Sequence, residues 1–387
     1  MTRQARIDAL LNDAVGNSGL PNLVAVIGDR DSTLYEGAAG PRSLGSAGAF
    51  TPDTVLWLAS MSKTLTATAA MQQVEQGKLS LDAPAQEIVP EIGQLQVLEG
   101  FDAAGQPQLR APRRAITLRH LLTHTAGQSY DFSSADIQRY LEATGTPSIF
   151  SCENRALTTP LLFDPGEAWA YGIGIDWAGK MVERQSGKSL GQYLREDLFD
   201  PLGMTSTSFK LSATQRAHLA GMHARDPDGA LAPMTFEVKQ DPEFEMGGGG
   251  LYSTARDYLR FMRMILNRGT LDGVRILRED TVALMSRDHC PGLDCGRIVA
   301  QAPTLSHHVD FFPGQRSGWG LSFMINDEPI PGGRAAGSLS WAGICNTYFW
   351  IDPTRNMSAM IATQMLPFFD PKMISTLQAF ESAVYED

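Results

Sequence analysis

One stretch of this chain combines the residue types of nucleophilic chemistry at a usable spacing: Ser60-Met61-Ser62-Lys63. It opens a run in which Thr64–Ala70 carry no Gly or Pro, and apolar Met61, Leu65, Ala69 and Met71 fall near helical spacing. The run predicts a helix ending at Gly77, a natural left-handed cap. Residues three apart share a helical face, so the Ser60 hydroxyl and the Lys63 amine can touch. A serine hydroxyl becomes a competent nucleophile when a neighbour takes its proton. A lysine can be that neighbour if burial lowers its pKa towards neutrality. Backbone N–H groups at a helix start favour negative charge developing beside Ser60. The same residues also fit an N-capping serine and a solvated lysine, and spacing alone leaves both readings open. This is the only Ser-x-x-Lys in the chain.

Other residues compete for the chemistry. His124 follows a short helix expected over Thr117–Leu122 and has the side chain of a general base. A histidine at a helix end is more often a structural hydrogen-bonding residue. Tyr171 sits in a loop feeding a helix predicted over Ile175–Arg184; alone it reads as a core tyrosine with a satisfied hydroxyl. Gly187-Lys188-Ser189-Leu190-Gly191 matches the nucleophile elbow Gly-x-Ser-x-Gly, but that elbow needs a strand before the serine. Here a helix precedes it, Gly187 caps that helix, and Ser189 with Gln192 predicts a capping box for the next. The four glycines Gly247–Gly250 permit close backbone approach, to a substrate or to a neighbouring strand. His289, Cys290 and Cys295, with His307 and His308, fit no compact zinc spacing, so no metal and no cofactor is expected.

The elements that must hold these residues follow from the rest of the chain. At 387 residues it is long for a single core, so two packed lobes or two domains are expected. A net charge of −11 argues against nucleic acid or an anionic membrane as partner. Four cysteines are too few for a disulfide framework at this size. The N-terminus reads as an amphipathic helix through Val15 rather than a secretory leader. No apolar run approaches the roughly 18 residues of a membrane span, so a cytoplasmic protein is expected. Leu23–Gly28 and Thr33–Gly37 predict an antiparallel hairpin, and Ala255–Asn267 an amphipathic helix. Ala213–Glu245 reads as an irregular surface excursion. Gly318–Met324, Ala336–Trp341, Asn346–Pro353 and Met357–Thr363 read as successive strands before a final helix, Met373–Tyr385. The sum is an α+β chain, an antiparallel sheet flanked by its first and last helices, with a mostly helical middle.

Several ordered motifs together resemble the serine hydrolases of the class C β-lactamase and penicillin-binding-protein type, nearest the family VIII carboxylesterases. They are Leu58–Lys63, His120–Gly127, Pro165–Tyr171, Pro201–Met204, Gly248–Thr254 and Ser340–Gly343, and they span nearly the whole chain. The resemblance implies that Ser60 is acylated and that Lys63 and Tyr171 handle its proton. It implies an oxyanion hole from the backbone N–H groups of Ser60 and Ile344. It implies substrate-binding positions at Trp341, Ala342, Gly343, Ile173, Gly249 and Tyr252. An α/β lobe of about 1–80 plus 245–387, a helical lobe of about 81–244, and a site between them are the implied organisation of one catalytic unit. Two departures stand out. The family's Tyr-x-Asn is Tyr171-Gly172-Ile173 here, and its Lys-Thr-Gly is Trp341-Ala342-Gly343. Neither Ile nor Trp can pair with a β-lactam's amide or carboxylate as Asn or Lys could. The expected activity is therefore cleavage of a small-molecule carboxylic ester, with an acyltransferase, or a β-lactamase, D-amino peptidase or amide hydrolase, as alternatives. The intact Ser60, Lys63 and Tyr171 set speaks against an interaction-only relative. The oligomeric state stays open between monomer and homodimer.

Overall fold

The computed structural model describes residues 1–386. Seven strands form one antiparallel sheet: β1 (Leu23–Gly28), β2 (Thr33–Ala39), β3 (Ser317–Trp319), β4 (Met324–Asn326), β5 (Leu339–Gly343), β6 (Thr347–Asp352) and β7 (Met357–Ala362), in the order β3-β4-β5-β6-β7-β1-β2. The first hairpin thus joins the C-terminal strands through β1 and β7, with Val26 opposite Met360. β1 reads Leu-Val-Ala-Val-Ile-Gly without alternation because both of its faces are covered.

The helices covering those faces are α1 (Arg3–Gly16), α2 (Ser62–Glu75), α3 (Gly174–Ser186), α4 (Ala255–Leu266) and α5 (Pro371–Tyr385), with several shorter ones between. Successive strand residues point to opposite sides of a sheet. On β6, Phe349 meets Tyr258 of α4, while its neighbour Trp350 meets Phe380 of α5. α4 therefore covers one face and α5 the other. α1 packs beside α5 and is pinned to β2 by the Tyr35 hydroxyl, which donates to Asp8 at 2.7 Å.

Two stretches depart from the sequence expectation. Gly318–Met324 is a hairpin rather than a single strand. Gly320 N–H donates to the Phe323 carbonyl at 2.7 Å, and Ser322 takes a positive φ of 74°, which reverses the chain between β3 and β4. Ala213–Glu245 contains a short helix, Ala213–Ala217, and a hairpin, Met222–Arg225 with Leu231–Met234. Its turn, Asp226-Pro227-Asp228-Gly229, is a strong turn sequence that outweighs the polar composition.

α2 is the axis of the molecule. Ser62 through Gln73 are all buried, so this helix is enclosed on every side rather than on one stripe. Small residues permit that enclosure, and the threonines among them are satisfied. Thr66 donates to the Gly247 carbonyl at 2.8 Å, Thr68 to the Thr64 carbonyl at 2.8 Å, and Thr64 shares a bond with Tyr258. α3, from the middle of the chain, packs directly on α2. No helix among the described residues is long and apolar enough to cross a membrane.

Candidate active site

A tight turn, Ala59–Met61, leads into α2 and carries Ser60 at its centre. Ala59 has a φ of +47°, a conformation that costs a non-glycine residue about 1–3 kcal/mol and persists only where the surroundings enforce it. The enforcement is visible. Leu58 N–H donates to the Leu251 carbonyl at 2.9 Å, and Leu251 N–H donates back to the Ser62 hydroxyl at 3.1 Å. Ser62 is thus a structural tie, and Ser60 is left half-exposed at the mouth of the turn.

Lys63 is 1% exposed and lies one helical turn below. Its Nζ sits 3.1 Å from Ser60 Oγ, 2.8 Å from the Tyr130 hydroxyl and 2.7 Å from the Gly248 carbonyl. A carbonyl can only accept, so one amine N–H is committed to Gly248. A neutral amine has one further N–H for Tyr130 and a lone pair free for Ser60. Burial pulls the Lys63 ammonium well below its ordinary value, opposed by the charge of Asp176. The arrangement can therefore accept a proton from Ser60.

Tyr171 approaches from the loop before α3. Its oxygen accepts the Trp341 indole N–H at 3.1 Å, and it lines the same cavity as Ser60. Burial pushes the phenol above its ordinary value, so Tyr171 stays protonated and cannot serve as an anionic base at neutral pH. Its ring centroid lies 4.7 Å from Lys63 Nζ, which favours an ammonium there. His124 backs the same loop. Its Nδ1 accepts Gly172 N–H at 3.4 Å and its ring packs on Tyr171, Trp169 and Trp319. That is a structural histidine, kept neutral by burial.

The exit of β5 closes the site from the other side. A Cβ on Gly343 would stand 2.3 Å from the Leu58 carbonyl and 3.2 Å from the Ala59 side chain. Only glycine lets this strand end lie against the turn, and that contact brings Ile344 beside Ser60. Ser60, Phe132 and Ile344 line two cavities at once. One, of empty volume ≈ 300 Å³, is walled by Trp57, Phe150, Met246 and Gly249. The other, ≈ 340 Å³, is walled by Tyr171, Trp341, Ala342 and Phe368. No charged side chain lines either. A larger cleft of ≈ 1420 Å³ lies on α3 around Trp177, away from Ser60.

The profile of the Beta-lactamase family matches residues 7–379. This chain belongs to that family. It is 35% identical over 353 residues to a monacolin J acid methylbutanoyltransferase of Aspergillus terreus, covering 86% of this chain and 82% of the relative. It is 34% identical over 367 residues to a lovastatin esterase of Penicillium rubens, covering 92% and 89%. In structure it matches a LovD6 mutant of the Aspergillus terreus simvastatin synthase with a TM-score of 0.86 at 32% identity, over 98% of this chain and 93% of that one. The fold is the β-lactamase fold, and the chain groups with ester-acting serine hydrolases and acyltransferases of that fold.

Of the positions read from Beta-lactamase family motifs, Ser60, Lys63, Tyr171, Trp341, Ala342, Ile344 and Gly249 converge, and Gly343 shapes the approach. The other two lie outside both cavity linings. Ile173 is 2% exposed at the start of α3 and outside both cavity linings. Tyr252 is 2% exposed and its hydroxyl accepts Val238 N–H at 2.9 Å, so it braces a loop instead. Trp341 is more than the expected apolar wall, because its indole N–H orients Tyr171. Ser189 caps its helix by accepting Gln192 N–H at 3.2 Å. The reciprocal half of the predicted capping box is missing, because the Gln192 amide donates to Glu196. Cys290 and Cys295 are buried beside each other. No group of three or more His, Cys, Asp or Glu that could hold a metal occurs among the described residues. The sequence reading missed Tyr130 and Phe132. They lie just past the motif ending at Gly127, in a loop with no periodicity to point them inward.

Proposed function

We propose that this protein cleaves carboxylic esters of small apolar acyl groups through a covalent acyl-Ser60 intermediate. The observation that carries the reading is the buried Lys63 amine, 3.1 Å from Ser60 Oγ, with its other bonds committed to Gly248 and Tyr130. In acylation the Ser60 O–H proton moves to Lys63 as Oγ attacks the ester carbonyl. The resulting oxyanion takes hydrogen bonds from the Ser60 and Ile344 N–H groups. The bond to the alkoxy oxygen then breaks, and that oxygen leaves with the proton held by Lys63. Tyr171, kept protonated by burial and lining the cavity beside Ser60, can pass that proton outward. Because Lys63 must be neutral to act, kcat/KM rises with pH as its ammonium deprotonates, below the ordinary lysine range.

A second reading, transfer of the acyl group to an alcohol, is favoured by one observation. Two apolar cavities meet at Ser60, which gives an acyl chain and an acceptor separate approaches to it. The printed activities of the relatives include both transfer and ester cleavage. We read the two lobes, about 1–80 plus 245–387 and about 81–244, as one catalytic unit. The acyl and acceptor partners would be small and uncharged, and no cofactor enters the scheme. A β-lactam or D-alanyl peptide must have its carboxylate held. A charged hydrogen bond of that kind is worth about 1.5–3 kcal/mol, so Trp341 in place of Lys disfavours such substrates by roughly one to two decades.

The test has two parts. A fluorophosphonate should modify Ser60, located by mass spectrometry, and Ser60→Ala should abolish turnover of p-nitrophenyl butyrate. Product analysis with excess alcohol then separates transfer from hydrolysis. Labelling elsewhere with Ser60 intact, or nitrocefin cleaved as efficiently as the esters, would overturn the reading.

A further inference from the structure

Behind the amine of Lys63 lies a carboxylate that the scheme above does not use. Asp176 stands in the first turn of α3 and is 1% exposed. Its Oδ1 accepts Gly248 N–H at 2.8 Å, and its Oδ2 is buried without a hydrogen-bond partner among the described residues. A buried carboxylate with an idle oxygen costs several kcal/mol unless a compensating charge is near. That charge is Lys63. The link between them is one residue: Gly248 donates its N–H to Asp176 and offers its carbonyl to Lys63 Nζ at 2.7 Å. The position must be glycine, since a Cβ there would stand 2.6 Å from Asp176 Oδ2. The second glycine of the Gly247–Gly250 run thus has a specific reason to lack a side chain.

We propose that Asp176 is the positioning residue of the proton acceptor, fixing Lys63 against Ser60 through Gly248 and stabilising the ammonium that forms when Ser60 gives up its proton. The inference rests on the acyl-Ser60 reading. In that step the Ser60 O–H bond breaks and an N–H bond forms on Lys63, creating a cation on a side chain that is 1% exposed. The titratable groups facing this pair are Tyr130, Tyr171, His124 and Cys152, all held neutral by burial, with Lys239 beyond Cys152. Asp176 is accordingly the anion that offsets the new charge. Its charge opposes the burial that lowers Lys63, and the Lys63 charge opposes the burial that raises Asp176.

The experiment compares pH profiles of kcat and kcat/KM on p-nitrophenyl butyrate for the intact enzyme, Asp176→Asn and Asp176→Glu. Asn preserves an acceptor for Gly248 N–H and removes only the charge. An anion raises a neighbouring lysine's pKa, so its loss moves the ascending limb to lower pH, by about one unit. The plateau kcat falls about ten-fold with KM little changed, because the ammonium is less stabilised in the transition state. Asp176→Glu keeps the charge and keeps the limb near the original pH, even where its geometry lowers the rate. A limb unmoved in Asp176→Asn overturns the proposal, as does a limb moved a full unit in Asp176→Glu; the latter decides the matter if Asp176→Asn does not fold. Ser60→Ala separates the two failures. If it is inactive while Asp176→Asn keeps its limb, only this inference falls; if it stays active, the acyl-Ser60 reading falls with it.

Discussion

Tyr130→Phe isolates the one hydroxyl at the site that no motif announced. The Tyr130 oxygen is 2.8 Å from Lys63 Nζ and has no other partner within hydrogen-bond reach that competes for it in the described site. The ring itself is held independently, stacked on Phe132 at 4.7 Å between centroids and 14° between planes. Phenylalanine keeps that stack and the cavity wall, so KM should change little. What goes is an acceptor for the ammonium that forms during acylation. A hydrogen bond to a charged group is worth about 1.5–3 kcal/mol, which corresponds to roughly a 10- to 150-fold fall in kcat. The pH profile gives the sign. Tyr130 favours the charged form of Lys63, so without it Lys63 deprotonates more readily and the ascending limb of kcat/KM moves to lower pH while the plateau drops. Stopped-flow release of p-nitrophenol under single-turnover conditions measures acylation directly, and circular dichroism checks the fold. A plateau within two-fold of the unmodified enzyme, with the limb in place, would refute the role of this bond.

Two further outcomes follow from the same geometry. Trp341→Phe keeps the aromatic wall but removes the indole N–H that Tyr171 accepts; loss of a neutral hydrogen bond worth about 0.5–1.5 kcal/mol should lower kcat roughly 2- to 12-fold in steady-state assays with KM nearly constant. Ser189→Ala should leave turnover untouched and lower thermal stability by about 1 kcal/mol in a melting experiment, the cost of a lost N-cap; inactivation would restore the elbow reading.

How much of this was legible in the sequence depends on the range of the interaction. The Ser60–Lys63 contact and the Gly187 cap are set within one helical turn, and the structure has both. The strands β1, β6 and β7 carry their apolar character in their own residues and fall where expected to within a residue or two. The hairpin at Gly320–Phe323 was missed because Gly-Leu-Ser-Phe lacks strong turn chemistry; the reversal is fixed by pairing of β3 with β4. Tyr130 and Asp176 were illegible for a deeper reason. Each reaches Lys63 only because loops from distant parts of the chain close on α2, across 67 residues for Tyr130 and through Gly248 for Asp176. Local periodicity carries no information about such contacts.

Trp341 ties the chemistry of the site to its specificity. In the family motif its position holds a lysine, whose cation would do two things beside Ser60. It would attract a substrate carboxylate, and it would lower the pKa of Lys63 by like-charge repulsion. With tryptophan there, both effects vanish together. Lys63 is then brought towards neutrality by burial alone, against the opposing pull of Asp176. Lys63 is buried against Tyr130, Tyr171 and the Gly248 carbonyl, while uncharged Trp57, Phe132, Phe150, Ile344 and Trp341 wall the cavities at Ser60. A charged substrate entering such a site would lose its hydration with nothing to replace it. Tyr130 and Tyr171, which help bury Lys63, also line those cavities, so on the proposed reading the surroundings that make Lys63 a base also favour neutral, apolar esters. A lysine placed there by Trp341→Lys would therefore change both at once.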